Sequence, residues 1–137
     1  PTGLFKFYLM NQINNEVFED YVSFQVAKLL KDKGYDVDGD CYFTPEGVEM
    51  AHFGIPERNS TYSYGETTQP THSLAIKWIR ENFGLHIYSR NFTDLKFRSY
   101  IINKEGEMEY SLTENPFNSS EEATEAALLY TLQNLIK

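Results

Sequence analysis

Apolar residues recur at spacings of three and four in three stretches of the chain, the pattern of helices that bury one face. Ser23 precedes the first stretch as its N-cap, and Gly34 and Gly84 follow the first two stretches as stops. The last stretch begins near Asn118 or Ser119, with the capping box Ser119-Ser120-Glu121-Glu122. Thr71 is the expected N-cap of the middle helix. The pattern therefore predicts helices over residues 24–33, 72–83 and 119–136.

Strand patterns occupy the segments between the helices. Thr44-Pro45-Glu46-Gly47 has the proline and glycine positions of a reverse turn, which predicts a hairpin of residues 41–43 with 48–53. Residues 85–89 alternate like a strand, and a second hairpin is expected around residues 103–107. In its second arm, Met108, Tyr110 and Leu112 are expected to share a face.

These elements predict an α+β fold in the order α-β-β-α-β-β-β-α. The strands are expected to form one antiparallel sheet of about four to five strands, with the three helices packed mainly on one face. With 137 residues, the chain is expected to form a single domain over residues 1–137. Residues 1–21 are an N-terminal extension that the pattern does not assign.

Residues 54–70 contain two prolines, two glycines and many Ser, Thr and Tyr residues without apolar periodicity. A loop of this length is uncommon in a compact domain unless it is functional or mobile. It is therefore the expected binding segment. Deleting residues 57–67 is expected to leave folding intact.

The net charge of −8 and the isoelectric point near 4.8 argue against direct binding to nucleic acid, whose phosphates an acidic surface repels. No apolar run reaches the length of about 20 residues that crosses a bilayer, so no membrane association is expected. Cys41 is the only cysteine and can form no internal disulfide. A reducing, cytoplasmic location is the expectation.

The residue types that carry chemistry form no recognised motif. The acidic run Asp36–Asp40 fails as a calcium loop because Cys41 and Gly47 stand where glycine and glutamate are required. His52, His72 and His86 lack ligand spacing, and His72 and His86 are expected at solvated positions. No catalytic residue, metal or cofactor is therefore predicted. A small hydrolase using Cys41 or a histidine is retained as the weakest alternative.

Tyrosine is the most informative residue type in the chain, with 10 copies. Exposed tyrosines favour protein interfaces, although tyrosines can also cover a small core while their hydroxyls stay in water. The candidate interaction surface consists of residues of the 54–70 loop and of strands with one solvated face: Tyr62, Tyr64, Tyr88, Tyr100 and His86.

The order of the capped segments is informative beyond any single motif. Three pieces, residues 22–36, 70–87 and 119–136, combine a Lys-Gly-Tyr-Asp helix end, a tryptophan helix ending in Phe-Gly and a terminal Glu-Glu-Ala helix. In this order the chain resembles small uncharacterised proteins encoded by phages and mobile elements of gut bacteria. The resemblance implies a fold and supplies no catalytic residues.

The leading hypothesis is a non-enzymatic interaction module of phage or mobile-element origin. It would bind another protein, or itself, through the 54–70 loop and the outer face of the sheet. The alternative is an acidic protein that imitates nucleic acid and inhibits a host DNA-binding protein by occupying its basic channel.

Overall fold

The computed structural model of the chain describes residues 20–91, 96–111 and 116–137. The chain divides into two compact units, residues 1–71 and residues 72–137. The predictions for residues 1–19 lie outside the described residues, and a single domain stays a prediction.

Unit 1 begins with helix α1, Phe24–Asp32. The Ser23 hydroxyl accepts a hydrogen bond from the Val26 N–H at 3.2 Å, which caps the first turn. After the last turn, Gly34 has φ +98°, a left-handed conformation that glycine adopts without steric penalty. The predicted helix and both of its end signals are confirmed.

A three-stranded antiparallel sheet follows in unit 1, with β1 at Cys41–Phe43, β2 at Glu49–Ala51 and β3 at Thr67–Thr68. The spatial order is β2-β1-β3. The predicted turn between β1 and β2 is present, because the Gly47 N–H donates to the Thr44 carbonyl at 2.8 Å. The first hairpin is confirmed, although β2 ends at Ala51 and leaves Phe53 outside the sheet.

The core of unit 1 lies between α1 and one face of this sheet. Phe43 is 1% exposed, and its ring centroid is 5.1 Å from that of Phe24 in α1. Val26, Ala27 and Leu30 of α1 are buried as well. This face of α1 is the one that the apolar spacing predicts.

The segment 54–70 is built into the fold more firmly than a loop prediction implies. It contains a 3₁₀ turn at Asn59–Thr61 and strand β3, and residues 67–70 are buried. The Asn59 amide donates to the Tyr35 carbonyl at 2.7 Å and accepts from the Thr68 N–H at 2.8 Å. Deletion of residues 57–67 would remove these bonds and part of β3, so it is expected to unfold this unit.

The acidic run that fails as a calcium loop anchors the same segment. Asp36 accepts a hydrogen bond from the Ser60 N–H at 2.8 Å, and Asp38 pairs with Arg58 at 2.8 Å. The Ser60 backbone bond lowers the pKa of Asp36, and the Arg58 hydrogen bond lowers the pKa of Asp38. These carboxylates hold the turn at residues 59–61 in place.

Unit 2 begins with helix α2, His72–Phe83, and Gly84 follows it with φ +69°. Three strands come next: β4 Leu85–Asn91, β5 Phe97–Asn103 and β6 Met108–Ser111. They form an antiparallel sheet in the order β4-β5-β6. Helix α3, Ser120–Tyr130, follows the sheet, and a π-helical turn, Thr131–Leu135, extends it.

One face of the unit 2 sheet is buried through Leu85, Ile87 and Ile101, and helix α3 contacts both β4 and β5. Helix α3 contributes buried alanine and leucine side chains, and its N-cap Ser119 accepts from the Glu122 N–H at 3.1 Å. The predicted capped terminal helix is confirmed. None of the helices in the described parts of the chain combines the length and apolar character needed to cross a bilayer.

Among the described residues the α+β fold with three α-helices is confirmed, but the strands form two three-stranded sheets instead of one sheet of four or five. The described strands of unit 1 pair only with one another, as do those of unit 2, so the two hairpins belong to separate sheets. The sequence pattern also misses β3, because its two threonines form no apolar run and only its pairing with β1 identifies it.

A register shift interrupts the pairing of the second hairpin. Met108 lies opposite Ile102, whereas Tyr110 lies opposite Ile101, with the irregularity between these two partners. The Tyr110 side chain and Leu112 lie outside what the structure describes, so the shared face of Met108, Tyr110 and Leu112 stays a prediction.

Candidate functional site

Three aromatic rings form a cluster on the face of the unit 1 sheet opposite α1. Tyr42 stacks on His52 with ring centroids 4.6 Å apart, and Tyr62 lies 5.7 Å from Tyr42 and 5.9 Å from His52. Tyr42 and His52 come from the first hairpin, while Tyr62 follows the 3₁₀ turn. This aromatic cluster therefore attaches the 54–70 segment to the sheet.

His52 joins the cluster to a carboxylate. Its Nε2 atom is 2.9 Å from the Tyr62 hydroxyl, and its Nδ1 atom is 3.9 Å from Glu57 Oε2. The His52 side chain is 13% exposed, so this contact is shielded from water. His52 was not among the predicted surface residues. Met50 is registered opposite Tyr42, and residues two apart along a strand share a face. The position of His52 two residues after Met50 is therefore the signal that places it on the Tyr42 face.

Burial controls the chemistry of Tyr62. Desolvation raises the pKa of Tyr62 from 10.0 to about 12, and the negative charge of Glu57 adds a smaller raising contribution. The phenol therefore stays protonated at neutral pH and serves as a hydrogen-bonding group beside His52. A phenol with this pKa is a poor nucleophile, so the cluster suits a structural role.

The Tyr62 pKa predicts a loss of stability at alkaline pH. Because the folded pKa of about 12 exceeds the ordinary value of 10.0, the unfolded chain releases this proton first. The stabilisation is complete below pH 10 and is lost as pH rises toward 12. Free energies of unfolding measured across this range should fall less for Tyr62→Phe than for the unmodified chain. Equal slopes would contradict the assignment.

Cys41 lies on the other face of the same sheet. Cys41 is buried and pairs with Ala51 of β2. It comes one residue before Tyr42 in β1, and the Tyr42 ring stacks on His52. Since adjacent strand residues point to opposite faces, the sheet separates the Cys41 thiol from the His52 imidazole. A nucleophile needs its base within hydrogen-bond reach, so a Cys41–His52 pair is excluded by this arrangement.

The chain immediately after β2 exposes two large apolar side chains. Phe53 is 97% exposed and Ile55 is 87% exposed, and residues 53–55 are called the tip here. Large apolar side chains are usually buried, so it is unusual for two of them within three residues to be almost fully exposed. Tyr64, predicted as a surface residue, is 83% exposed.

The tip is anchored on both sides. Before it, the His52 N–H donates to the Asp40 carbonyl at 2.8 Å. After it, Glu57 forms a backbone bridge with Gly39, with N–H to oxygen distances of 2.9 and 3.3 Å. The His52–Glu57 side-chain contact closes the base of the same segment. The apolar side chains therefore project from a fixed base.

The remaining predicted residues form a separate group in unit 2. His86 stacks on Tyr88 with centroids 5.7 Å apart, and Tyr88 stacks on Tyr100 of the adjacent strand at 5.1 Å. This group is called the tyrosine ladder. All three side chains are half-buried, and the His86 Nδ1 atom is buried with no hydrogen-bond partner in the described structure.

His72 differs from its expected solvated position. It is 9% exposed, and its Nε2 atom is 3.1 Å from Glu125 Oε1 of α3. The contact links the first turn of α2 to α3, which gives His72 a structural role. The first-turn position alone could not reveal a partner 53 residues away.

The described residues contain no group of three His, Cys, Asp or Glu side chains that could hold a metal ion. No protein-family model matches the chain, and no curated protein or solved structure shows significant similarity to it.

Proposed function

We propose that the chain is a non-enzymatic protein-interaction module of the phage or mobile-element group that its sequence resembles. The tip at residues 53–55 is its binding element. The observation that carries the proposal is the nearly complete exposure of Phe53 and Ile55 on a segment anchored at both ends. Large apolar side chains that enter a partner's pockets supply most of the binding energy of many interfaces.

The anchoring is as important as the exposure. A flexible loop must become ordered when it binds, and this ordering lowers the net free energy of binding. A loop that is already fixed avoids this loss. The backbone bonds at Asp40 and Gly39 and the aromatic cluster hold both ends of the tip. The tip is therefore preorganised for a rigid, apolar pocket.

The chemistry around the tip defines the partner further. Glu57 borders the tip with its side chain 46% exposed, and the chain carries a net charge of −8. Complementary charge increases association rates and selects among partners. The expected partner is a protein whose apolar pocket has a basic rim.

Val48 and Met50 extend the apolar character along β2, the edge strand of the described sheet. Their exposure supports a contact area larger than two side chains. Tyr64 and Tyr62 belong to the same unit, so the original tyrosine hypothesis is retained for this segment with Phe53 and Ile55 as its principal residues.

The test is quantitative affinity capture from a lysate of the host, using the unmodified chain and the double variant Phe53→Ser/Ile55→Ser. The variant should fold normally because both side chains are exposed. The amount of specific partner that it captures should fall by at least about tenfold. The matched control is Met108→Ser, which removes an exposed apolar side chain from unit 2. Its captured partner should be unchanged.

Undiminished capture by the double variant would contradict the proposal. If that capture were also lost at high salt, the acidic alternative would be favoured, because exposed charge interactions are screened by salt.

A further inference from the structure

The outer face of β4 and β5 combines the tyrosine ladder with two arginines. Tyr88 is registered opposite Tyr100, and one step along the same face Arg90 is registered opposite Arg98. The alternation of strand side chains places these four residues on the face opposite buried Ile87 and Ile101. On this face a stacked pair of tyrosines is therefore followed along the strands by a pair of arginines.

Like charges directly opposite each other destabilise an antiparallel pair. Arg90 is exposed, and Arg98 also takes part in an interaction of its own within the chain. Arg90 is therefore the member that can contact a ligand most readily.

Charge is distributed unequally along the unit 2 sheet. Lys104, Glu105 and Glu107 lie at the turn between β5 and β6, where the two carboxylates outnumber the one ammonium group. This turn is next to Ile102, which is registered opposite His86 of the ladder. Arg90, Arg98 and Lys96 lie at the opposite end. An anion is attracted to the arginine end and repelled from the turn, which gives a ligand one favoured orientation.

We propose that this face binds a mononucleotide, with its base stacked on an end of the tyrosine ladder and its phosphate at Arg90 and Arg98. The two registered pairs are separated by two residues, about 7 Å along the strands. A nucleotide carries its aromatic base and its phosphate one sugar apart. Arginine suits phosphate because its planar donors match the phosphate oxygens, and tyrosine rings stack on bases of any sequence.

The net charge of −8 restricts the ligand to a single nucleotide. A polynucleotide would extend its phosphates over the acidic remainder of the surface, whereas one phosphate needs only the local arginine pair. This site lies in unit 2 and does not depend on the tip of unit 1.

The test is calorimetric titration of the full chain with adenosine 5′-monophosphate, and with adenosine, inorganic phosphate and phosphotyrosine in parallel. The nucleotide should bind at least about tenfold more tightly than any of the other three, because only it offers both groups at this spacing. Arg90→Ala should weaken nucleotide binding by about tenfold and leave adenosine binding unchanged. The control Arg80→Ala, in α2, should bind like the unmodified chain.

Tyr100→Leu provides an independent measurement, since leucine keeps an apolar side chain in the strand but removes the ring at the end of the ladder, two residues from Arg98 in the same strand. It should weaken the nucleotide and adenosine equally. Absence of nucleotide binding at millimolar concentration, an unchanged affinity for Arg90→Ala, or equal affinity for phosphotyrosine would each overturn the proposal. None of these outcomes bears on capture through the tip.

Discussion

Replacing Phe43 by alanine is expected to lower the free energy of unfolding by about 3–5 kcal/mol. Phe43 is 1% exposed and packs against Phe24, so truncation removes apolar contacts and leaves a cavity between β1 and α1. Phe43 is one of the largest fully buried side chains in the described part of unit 1, so the folding of this unit should become marginal. Urea denaturation followed by circular dichroism measures the change.

The matched control is the same substitution at Phe53, which is 97% exposed. Phe53→Ala should change the free energy of unfolding by less than about 0.5 kcal/mol. The contrast tests the assignment of one phenylalanine to the core and the other to solvent. Comparable losses for the two variants would show that the tip packs against the protein.

Replacing Gly47 by alanine is expected to destabilise unit 1 by about 2–4 kcal/mol through two causes. Gly47 has φ +87°, which disfavours any residue with a Cβ atom. An added Cβ would also lie 2.7 Å from the ring of Phe24. That ring is constrained by Phe43 on one side and by Lys28 Nζ, 4.4 Å from its centroid.

Gly34→Ala separates the two causes. Gly34 has φ +98°, and no atom lies within 4 Å of the position of an added Cβ. This variant should therefore lose only the conformational contribution, about 1–2 kcal/mol. The two free energies of unfolding can be compared by the same denaturation experiment. A loss at Gly47 no larger than that at Gly34 would contradict the packing of Phe24 against the turn.

The elements that depend on local signals could be predicted from the sequence. Ser23 caps α1, Gly34 ends it, and Gly47 closes the first turn, each through contacts within a few residues. The alternation of residues 85–89 likewise placed His86 and Tyr88 on one face. Their stacking with Tyr100 required the register between β4 and β5, which the pattern does not contain.

The candidate site depended on contacts that no local pattern encodes. β3 is recognisable only through its pairing with β1, and Asn59 holds it through partners at Tyr35 and Thr68. The exposure of Phe53 was missed because the apolar pattern of residues 48–53 predicts a strand that continues two residues beyond Ala51, to Phe53. In the structure β2 ends at Ala51, and the chain leaves the sheet before Phe53.

The most direct test of the binding role of the tip is site-specific photo-crosslinking. A photoreactive phenylalanine analogue replaces Phe53 in one preparation and Met108 in a second, both at exposed positions. After illumination in host lysate, position 53 should form a covalent adduct with one defined protein, and position 108 should not. Adducts that are absent at position 53, or that are identical at the two positions, would contradict the account.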